Sequence, residues 1–367
     1  MTDLSKRYKS RVDRLQKKLK ENNLNGVILV PGSNLRYYTG GQSIMMERIF
    51  MLFIPNNGDS HLVVPDFEAG DFLKKRMILH KWNDKDGPSF SLREVSGQLS
   101  IGGRWGLEGR VPFMFLNPYM KYAKPEFVDA EPILQSIRAV KDDTEVDILR
   151  KSARILGKSY LNLNNFLKPG ITEIELAKSL TADIYSNGAE LVFVALIQAG
   201  ERAADPHSLP SSRKIRQNEP IVIDMSSTYG GYFADITRTV AVGRGAKFER
   251  QYDSVLEAQE QAIKASKPGV TVGSVDAAAR DILRRDQLAE YFLTRTGHGI
   301  GLDIHEAPYI IPDGKEILNL GMVHTIEPGV YIRKNLGIRI EDDLLITTNN
   351  HHVMTSMVPK DFGWWNS

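Results

Sequence analysis

Residues 221–240 have the sequence IVIDMSSTYGGYFADITRTV. Two strand-forming runs flank Tyr229-Gly230-Gly231, and a glycine pair between such runs predicts an antiparallel β-hairpin. Asp224 and Asp235 are equidistant from a point between residues 229 and 230, so we expect them to lie opposite each other, with Cβ atoms about 4.5–5.5 Å apart. Two like charges in that position are destabilising, which predicts a compensating cation.

A second acidic pair follows nearer the C-terminus. Glu327 and Glu341 are symmetric about Lys334, in the predicted turn Arg333-Lys334-Asn335-Leu336-Gly337. A single acidic residue on a strand is usually solvated or ion-paired. Two acidic pairs on two predicted hairpins favour a common cation-binding site instead.

The segment Thr296-Gly297-His298-Gly299-Ile300-Gly301 places a histidine between glycines, which let backbone approach a ligand closely. A nucleotide-binding loop is the alternative, but the glycines do not fit GxGxxG and no acidic ribose partner lies at the required distance. Four ionised carboxylates balance the charge of two divalent ions, and a ligand set of oxygen atoms with a single imidazole excludes softer metal chemistry. The predicted two-metal ligands are Asp224, Asp235, His298, Glu327 and Glu341.

Two similar halves are indicated around these motifs. Lys168-Pro169-Gly170-Ile171-Thr172 recurs as Lys267-Pro268-Gly269-Val270-Thr271, each copy between two helical stretches. Either the catalytic half of the chain is a duplication about a pseudo-two-fold axis, with a site in the crevice between the halves, or these are two independent helix-turn-helix links. The matched flanking pattern favours duplication.

The chain is long enough for two domains. Asp142 followed by Glu145 predicts a capping box at the start of a long helix. We place the domain boundary just before this helix, which gives domains of residues 1–135 and 136–367. The N-terminal domain is predicted to be α/β, from a helix at Tyr8–Lys20, a buried strand at Gly26–Pro31 and a hairpin around Asn56-Asn57-Gly58-Asp59.

The composition excludes several classes of function. The 47 Lys and Arg against 45 Asp and Glu give a net charge of +2, so there is no electrostatic footprint for nucleic acid or a membrane surface. The absence of cysteine excludes disulfides, thiolate metal sites and a cysteine nucleophile. No apolar run approaches the roughly 18 residues of a membrane span, and the polar N-terminus leads us to expect a cytoplasmic protein.

At these motifs the chain resembles the pita-bread metallopeptidases, which include prolidase (Xaa-Pro dipeptidase), aminopeptidase P, methionine aminopeptidase and the creatinase relatives. The resemblance covers the whole chain, and four motifs occur in the family's order: 223–239, 297–306, 325–331 and 337–342. It implies an α/β (α+β) fold with a creatinase-type N-terminal domain and a pita-bread catalytic domain. Methionine aminopeptidases lack the former, so methionine removal is disfavoured.

The resemblance also implies roles for individual residues. One metal would be bound by Asp224 and Asp235, and the other by Asp235, His298, Glu327 and Glu341, with Glu341 bridging. His207 and His305 would contact the substrate. Glu327 would bind metal and also serve as the base, and Arg339 would lie beside the bridging carboxylate.

The expected reaction is hydrolysis of the bond preceding proline in short peptides, by a homodimer with two divalent ions. Manganese, cobalt or iron is favoured and zinc is possible. Dipeptidase and aminopeptidase activity both remain open. Some prolidases hold the dipeptide carboxylate with an arginine, and Tyr309 occupies that position here. Thr294 stands where many relatives have a histidine. The competing hypotheses are a metal-free, creatinase-like amidinohydrolase and a non-catalytic binding protein of this fold, and the intact ligand set argues against both.

Overall fold

The structure is a computed structural model that describes residues 3–72 and 77–366. Contacts between residues divide the chain into two compact units, 1–137 and 138–367. Within the described part of the chain, no helix combines the length and the apolar character needed to cross a membrane.

The N-terminal unit is built on a mixed six-stranded sheet with strand order β4-β3-β2-β1-β5-β6. Strands β1 and β2, and β2 and β3, are antiparallel, whereas the outer pairs are parallel. Its elements are α1 (Asp3–Glu21), β1 (Gly26–Leu29), α2 (Ser33–Thr39), β2 (Met51–Pro55), β3 (Ser60–Pro65), β4 (Met77–Trp82), α3 (Ser89–Gln98), β5 (Arg104–Leu107), α4 (Phe113–Tyr119), β6 (Glu126–Asp129) and α5 (Glu131–Ala139).

The local predictions for this unit are confirmed. The predicted helix lies within α1, and the Asn-Asn-Gly-Asp segment joins the antiparallel strands β2 and β3. Strands β1, β2 and β3 are buried along their whole length. Their apolar runs are therefore continuous rather than alternating, as is typical of strands covered on both faces.

The C-terminal unit contains two sets of helices and strands. Its elements are α6 (Asp143–Leu161), α7 (Glu173–Ser186), β7 (Leu191–Ala199), β8 (Ile221–Tyr229), β9 (Tyr232–Val240), α8 (Glu249–Ala265), α9 (Val272–Arg285), β10 (Gly297–Gly299), β11 (Glu306–Ile310), β12 (Val323–Ile326), β13 (Gly329–Ile332), β14 (Leu336–Arg339), β15 (Asp342–Ile346) and β16 (His351–Val353). The strands form sheets in the orders β7-β8-β9, β11-β10-β12-β15-β16 and β13-β14.

The two Lys-Pro-Gly segments have the same local structure, as a duplication predicts. Each joins a pair of helices, α6 to α7 and α8 to α9, and Gly170 and Gly269 have φ of 83° and 86°. Thr172 and Thr271 then cap helices of 14 residues by accepting a hydrogen bond from a backbone amide three residues on. The capping box predicted at the start of α6 is also present.

Helix α6 supports the first hairpin from behind. The Tyr160 hydroxyl, fully buried on this helix, lies 2.7 Å from the carbonyl oxygens of both Ile223 in β8 and Ile236 in β9. A buried hydroxyl needs a hydrogen-bond partner, and here one proton is shared between carbonyls of both strands, next to Asp224 and Asp235. The hairpin is thus held to the helical layer at the level of its two aspartates.

Candidate metal centre

The first hairpin places Asp224 and Asp235 on one face, but not opposite each other. Asp224 pairs with Thr237, and Asp235 pairs with Ser226. The predicted register was wrong because Gly230 and Gly231 both have positive φ, 58° and 76°, and together form a two-residue turn centred between them. The aspartates are consequently diagonal neighbours, a relation that separates residues by about 7–8 Å.

The second hairpin has the predicted register. Ile326 pairs with Asp342 and Gly329 pairs with Arg339, so Glu327 and Glu341 occupy opposite positions between two matching ladders. Lys334 lies at the centre of the turn, with φ of 59°.

The two hairpins meet edge to edge, which brings one acid from each together. The Glu341 amide donates to the Thr237 carbonyl at 3.0 Å, and the Thr237 hydroxyl donates to Glu341 Oε2 at 2.6 Å. The Asp235 amide donates to Asp343 Oδ2 at 3.1 Å. These contacts fix Asp235 and Glu341 as neighbours across the junction.

His298 completes this group. One possible ligand atom from each of Asp235, His298 and Glu341 lies within 4.8 Å of the other two, and all three residues are buried. His298 Nδ1 is 3.1 Å from the Gly299 carbonyl. A carbonyl accepts only, so Nδ1 carries a proton, while Nε2 lies 3.1 Å from Glu327 Oε1.

The glycines beside His298 are required by close packing. A Cβ atom on Gly297 would lie 2.0 Å from the Thr325 carbonyl oxygen, and one on Gly299 would lie 2.1 Å from the Ala307 carbonyl oxygen. Both contacts are with backbone, which cannot move aside. Any other residue in either position would displace the strand that carries His298.

Asp224 is linked to Glu341 by hydrogen bonds through Arg339 and Thr237. Arg339 Nη2 donates to Asp224 Oδ2 at 2.6 Å, Nε donates to the Thr237 hydroxyl at 3.1 Å, and Nη1 donates to the Tyr331 hydroxyl at 3.0 Å. Since Thr237 in turn donates to Glu341, one buried arginine orients carboxylates from both hairpins.

Two further histidines are close to His298: His305 contacts its ring, and His207 lies within electrostatic range of His305. The ring of His305 meets that of His298 edge to face, with centroids 4.2 Å apart. Burial, followed by the charges of His298 and Arg295, lowers the pKa of His305 to about 4, and His207 adds to this effect from its exposed loop. His305 is therefore neutral at pH 7.

Comparison with known proteins gives this arrangement a family. Residues 147–348 match the model of metallopeptidase family M24, and residues 11–140 match that of the creatinase/prolidase N-terminal domain. The chain belongs to metallopeptidase family M24. The Xaa-Pro dipeptidase of Pyrococcus furiosus is 32% identical over 353 residues, which are 95% of this chain and 98% of that protein.

Solved structures of M24 peptidases share the whole fold. A prolidase from Thermococcus sibiricus is 32% identical and superposes with a TM-score of 0.92, covering 97% of this chain and 98% of its own. An X-Pro aminopeptidase from Thermotoga maritima is 28% identical, with a TM-score of 0.79 and coverage of 94% and 99%. The creatinase-type N-terminal domain and the pita-bread catalytic domain are thus confirmed as the fold.

The carboxylates of this centre are buried close to one another, and this shifts their pKa values. Burial first, and then the neighbouring carboxylates, raise the pKa of both Asp235 and Glu341 well above their usual values. Glu327 behaves differently. Burial by itself raises its pKa, but His298, Arg339 and Arg295 outweigh burial and lower the pKa of Glu327 to about 2.

The residues of this site suit divalent metal ions. Asp235 Oδ1 and Glu341 Oε1 are buried and have no hydrogen-bond partner among the described residues. Buried carboxylate oxygens without donors are costly, and a cation satisfies them. Oxygen ligands with one imidazole match the preferences of hard and borderline divalent ions.

The raised pKa values predict that stabilisation by metal increases with pH. Groups with raised pKa values stabilise the metal-free fold at acid pH, and this contribution is lost as pH rises through those values. Metal binding requires the deprotonated carboxylates. We therefore expect the gain in Tm on adding saturating Mn²⁺ to be several degrees larger at pH 8 than at pH 5.5.

Differential scanning calorimetry with Mn²⁺ or with EDTA at each pH measures this gain. An equal gain at the two pH values would contradict the assignment of the buried carboxylates as ligands.

The sequence did not point to two residues that bond with members of this centre. Thr237 bonds with Glu341 and Arg339, and Asp343 accepts from the Asp235 amide. Both could have been found from the two-residue period of a strand, which places Thr237 on the face of Asp235 and Asp343 on the face of Glu341.

Proposed function

We propose that the protein is a metal-dependent peptidase that hydrolyses the bond preceding proline in dipeptides or short peptides. One observation carries the proposal: Asp235, His298 and Glu341 converge within 4.8 Å, and two of their buried oxygens have no donor among the described residues. Relatives named prolidase and Xaa-Pro dipeptidase cover nearly the whole chain, which supports proline-containing substrates.

The proposed metal ligands are Asp224, Asp235, His298, Glu327 and Glu341. Two divalent ions bound by these residues would supply an activated water and polarise the scissile carbonyl. The preponderance of carboxylates favours manganese, cobalt or iron, with zinc possible.

We assign proton transfer, charge stabilisation and substrate contact to individual side chains. Glu327 is ionised at neutral pH and borders His298, so it is placed to accept a proton from the attacking water. His305 is neutral, and its ring N–H is available to stabilise the negative charge that develops on the carbonyl oxygen. His207 is assigned to substrate contact from the exposed loop, and Arg339 to the orientation of Asp224 and Glu341.

The domain limits, assembly and location are also part of the proposal. We place the creatinase-type domain at residues 1–135 and the catalytic domain at 136–367, and the family matches to residues 11–140 and 147–348 support a boundary in this part of the chain. A homodimer follows the habit of the family, and size-exclusion chromatography with light scattering tests it. A cytoplasmic location is also part of the proposal, and fractionation of cells that produce the protein tests it.

An assay with Ala-Pro, Ala-Ala and creatine tests the function. After chelation and reloading with Mn²⁺, Co²⁺, Fe²⁺ or Zn²⁺, we expect kcat/KM for Ala-Pro to exceed that for Ala-Ala by about 10- to 100-fold with at least one metal, the range that shape selection in an apolar pocket provides. Turnover of creatine, or no hydrolysis of Ala-Pro with any of the four metals, would contradict the proposal.

A further inference from the structure

Arg295 is a half-buried arginine at the candidate metal centre that forms no ion pair or hydrogen bond with any residue of 3–72 or 77–366. The other buried cations of this region are occupied. Arg339 donates to Asp224, Thr237 and Tyr331, and Lys141 is paired with Glu306. A guanidinium beside a peptidase site with its donors unused is placed to bind an anion.

Tyr309 holds the Arg295 side chain at the site. The guanidinium lies over the Tyr309 ring, 5.0 Å from its centroid, and Tyr309 pairs directly with His298 in the β10–β11 ladder. An aromatic ring attracts a guanidinium without occupying its N–H donors in conventional hydrogen bonds, so these donors are available to bind a carboxylate bidentately.

The backbone that carries Arg295 is fixed to helix α9. Arg280 donates to the Thr294 carbonyl at 2.9 Å and to the Phe292 carbonyl at 3.3 Å. Asp276 accepts from Arg280 at 2.7 Å and from the Thr296 hydroxyl at 2.7 Å. Residues on both sides of Arg295 are therefore anchored, and binding an anion there requires little ordering of the backbone.

The charge of Arg295 is felt at the catalytic residues. It helps to lower the pKa of Glu327, a proposed metal ligand, and that of the adjacent His305. A substrate placed between these groups and Arg295 would have its reacting bond at one end and its anion at the other. A Xaa-Pro dipeptide has one anion, the C-terminal carboxylate, and it lies on the residue after the bond that is cut.

We propose that Arg295, stacked on Tyr309, binds the C-terminal carboxylate of the substrate and makes the enzyme a dipeptidase. The inference rests on the proposed function and adds to it the substrate class, a dipeptide with a free carboxylate. Longer peptides and C-terminal amides lack an anion at this position and are poor substrates.

Kinetics on Ala-Pro and its C-terminal amide test the inference. We expect the wild type to prefer Ala-Pro. Arg295→Gln should lower kcat/KM for Ala-Pro by about 10- to 100-fold, the value of a charge-assisted hydrogen bond, mainly through KM, and leave the amide within about twofold. Tyr309→Phe keeps the ring and should retain the preference, whereas Tyr309→Leu should reduce it.

Arg244→Gln is the matched control, because Arg244 is exposed and lies in the segment after β9, outside the proposed site. We expect it to behave as wild type. A preference for Ala-Pro that persists in Arg295→Gln, or an equal loss on both substrates, would overturn the inference.

Calorimetric titration of the chelated protein with the same two compounds separates this inference from the proposed function. Tighter binding of Ala-Pro than of the amide by the wild type but not by Arg295→Gln supports the carboxylate site, even if neither compound is hydrolysed. Equal binding of the two compounds by the wild type would overturn it.

Discussion

Asp235→Asn is expected to lower kcat/KM for Ala-Pro by about 1,000-fold while leaving a folded protein. Charge stabilisation by two divalent ions amounts to several kcal/mol, and about 1.4 kcal/mol corresponds to a tenfold change in rate. Asp235 is a buried proposed ligand beside Glu341 and His298, and its Oδ1 lacks a partner among the described residues. Asparagine keeps its shape and removes its charge.

The same substitution is expected to leave the metal-free protein at least as stable as the wild type. Burial, and then Glu341 and other neighbouring carboxylates, raise the pKa of Asp235, so a neutral side chain removes the cost of a charge at this position. The gain in Tm on adding Mn²⁺ should disappear together with activity. Asp281→Asn, an exposed position on α9, is the control and should change neither. Wild-type turnover by Asp235→Asn with full metal content would remove Asp235 from the site.

Glu306→Gln is expected to reduce the free energy of unfolding by about 3–5 kcal/mol, the cost of leaving buried cations without their counter-ion. Lys141 Nζ lies 2.7 Å from Glu306 Oε1, Arg138 contacts the other carboxylate oxygen, and all three residues are buried. Asp303, which is 2.7 Å from Arg138, would remain as a counter-ion for that arginine, while Lys141 would lose its ion pair with Glu306. A fall in Tm of about 6–20 °C follows from this loss.

The pH dependence of stability should change with this substitution. Burial by itself raises the pKa of Glu306, but Arg138 and Lys141 outweigh it and lower the pKa below its usual value. The contribution of Glu306 is therefore present above the pKa of the unfolded chain and lost as pH falls through the lowered value. The Tm difference between wild type and Glu306→Gln should shrink in acid.

Calorimetry with two further variants completes this test. In Glu306→Gln/Lys141→Met, one stranded cation is removed, and part of the lost Tm should return. Glu257→Gln breaks an exposed pair with Arg285, whose atoms are equally close at 2.7 Å, and should leave Tm unchanged. Equal Tm values for Glu306→Gln and Glu257→Gln would show that the buried cluster contributes nothing beyond a surface pair.

The symmetry of each predicted hairpin gave the correct pairing of residues in one hairpin and the wrong pairing in the other. Symmetry about Lys334 placed Glu327 opposite Glu341 correctly. The same argument misplaced Asp224 against Asp235, because two successive glycines at positive φ shift the centre of the hairpin by one residue. Composition shows that a turn is present, but the φ values decide the register.

The contacts between distant segments could not be predicted from local pattern. Arg339 reaches Asp224 across 115 positions, and Lys141 reaches Glu306 across 165. Resemblance to the family predicted a role for Arg339, whereas nothing in the sequence indicated that Arg295 would stack on Tyr309. Such pairs depend on how the sheets pack, and periodicity carries no information about that packing.

Titration of the chelated enzyme with Mn²⁺, with bound metal and Ala-Pro hydrolysis measured on the same samples, tests the central claim most directly. The proposed ligand set predicts no activity without metal, and activity that rises with bound metal to a plateau at two ions per chain. Asp235→Asn should bind fewer ions and stay inactive. Full hydrolysis of Ala-Pro by protein that contains no measurable metal would contradict the proposed two-metal peptidase.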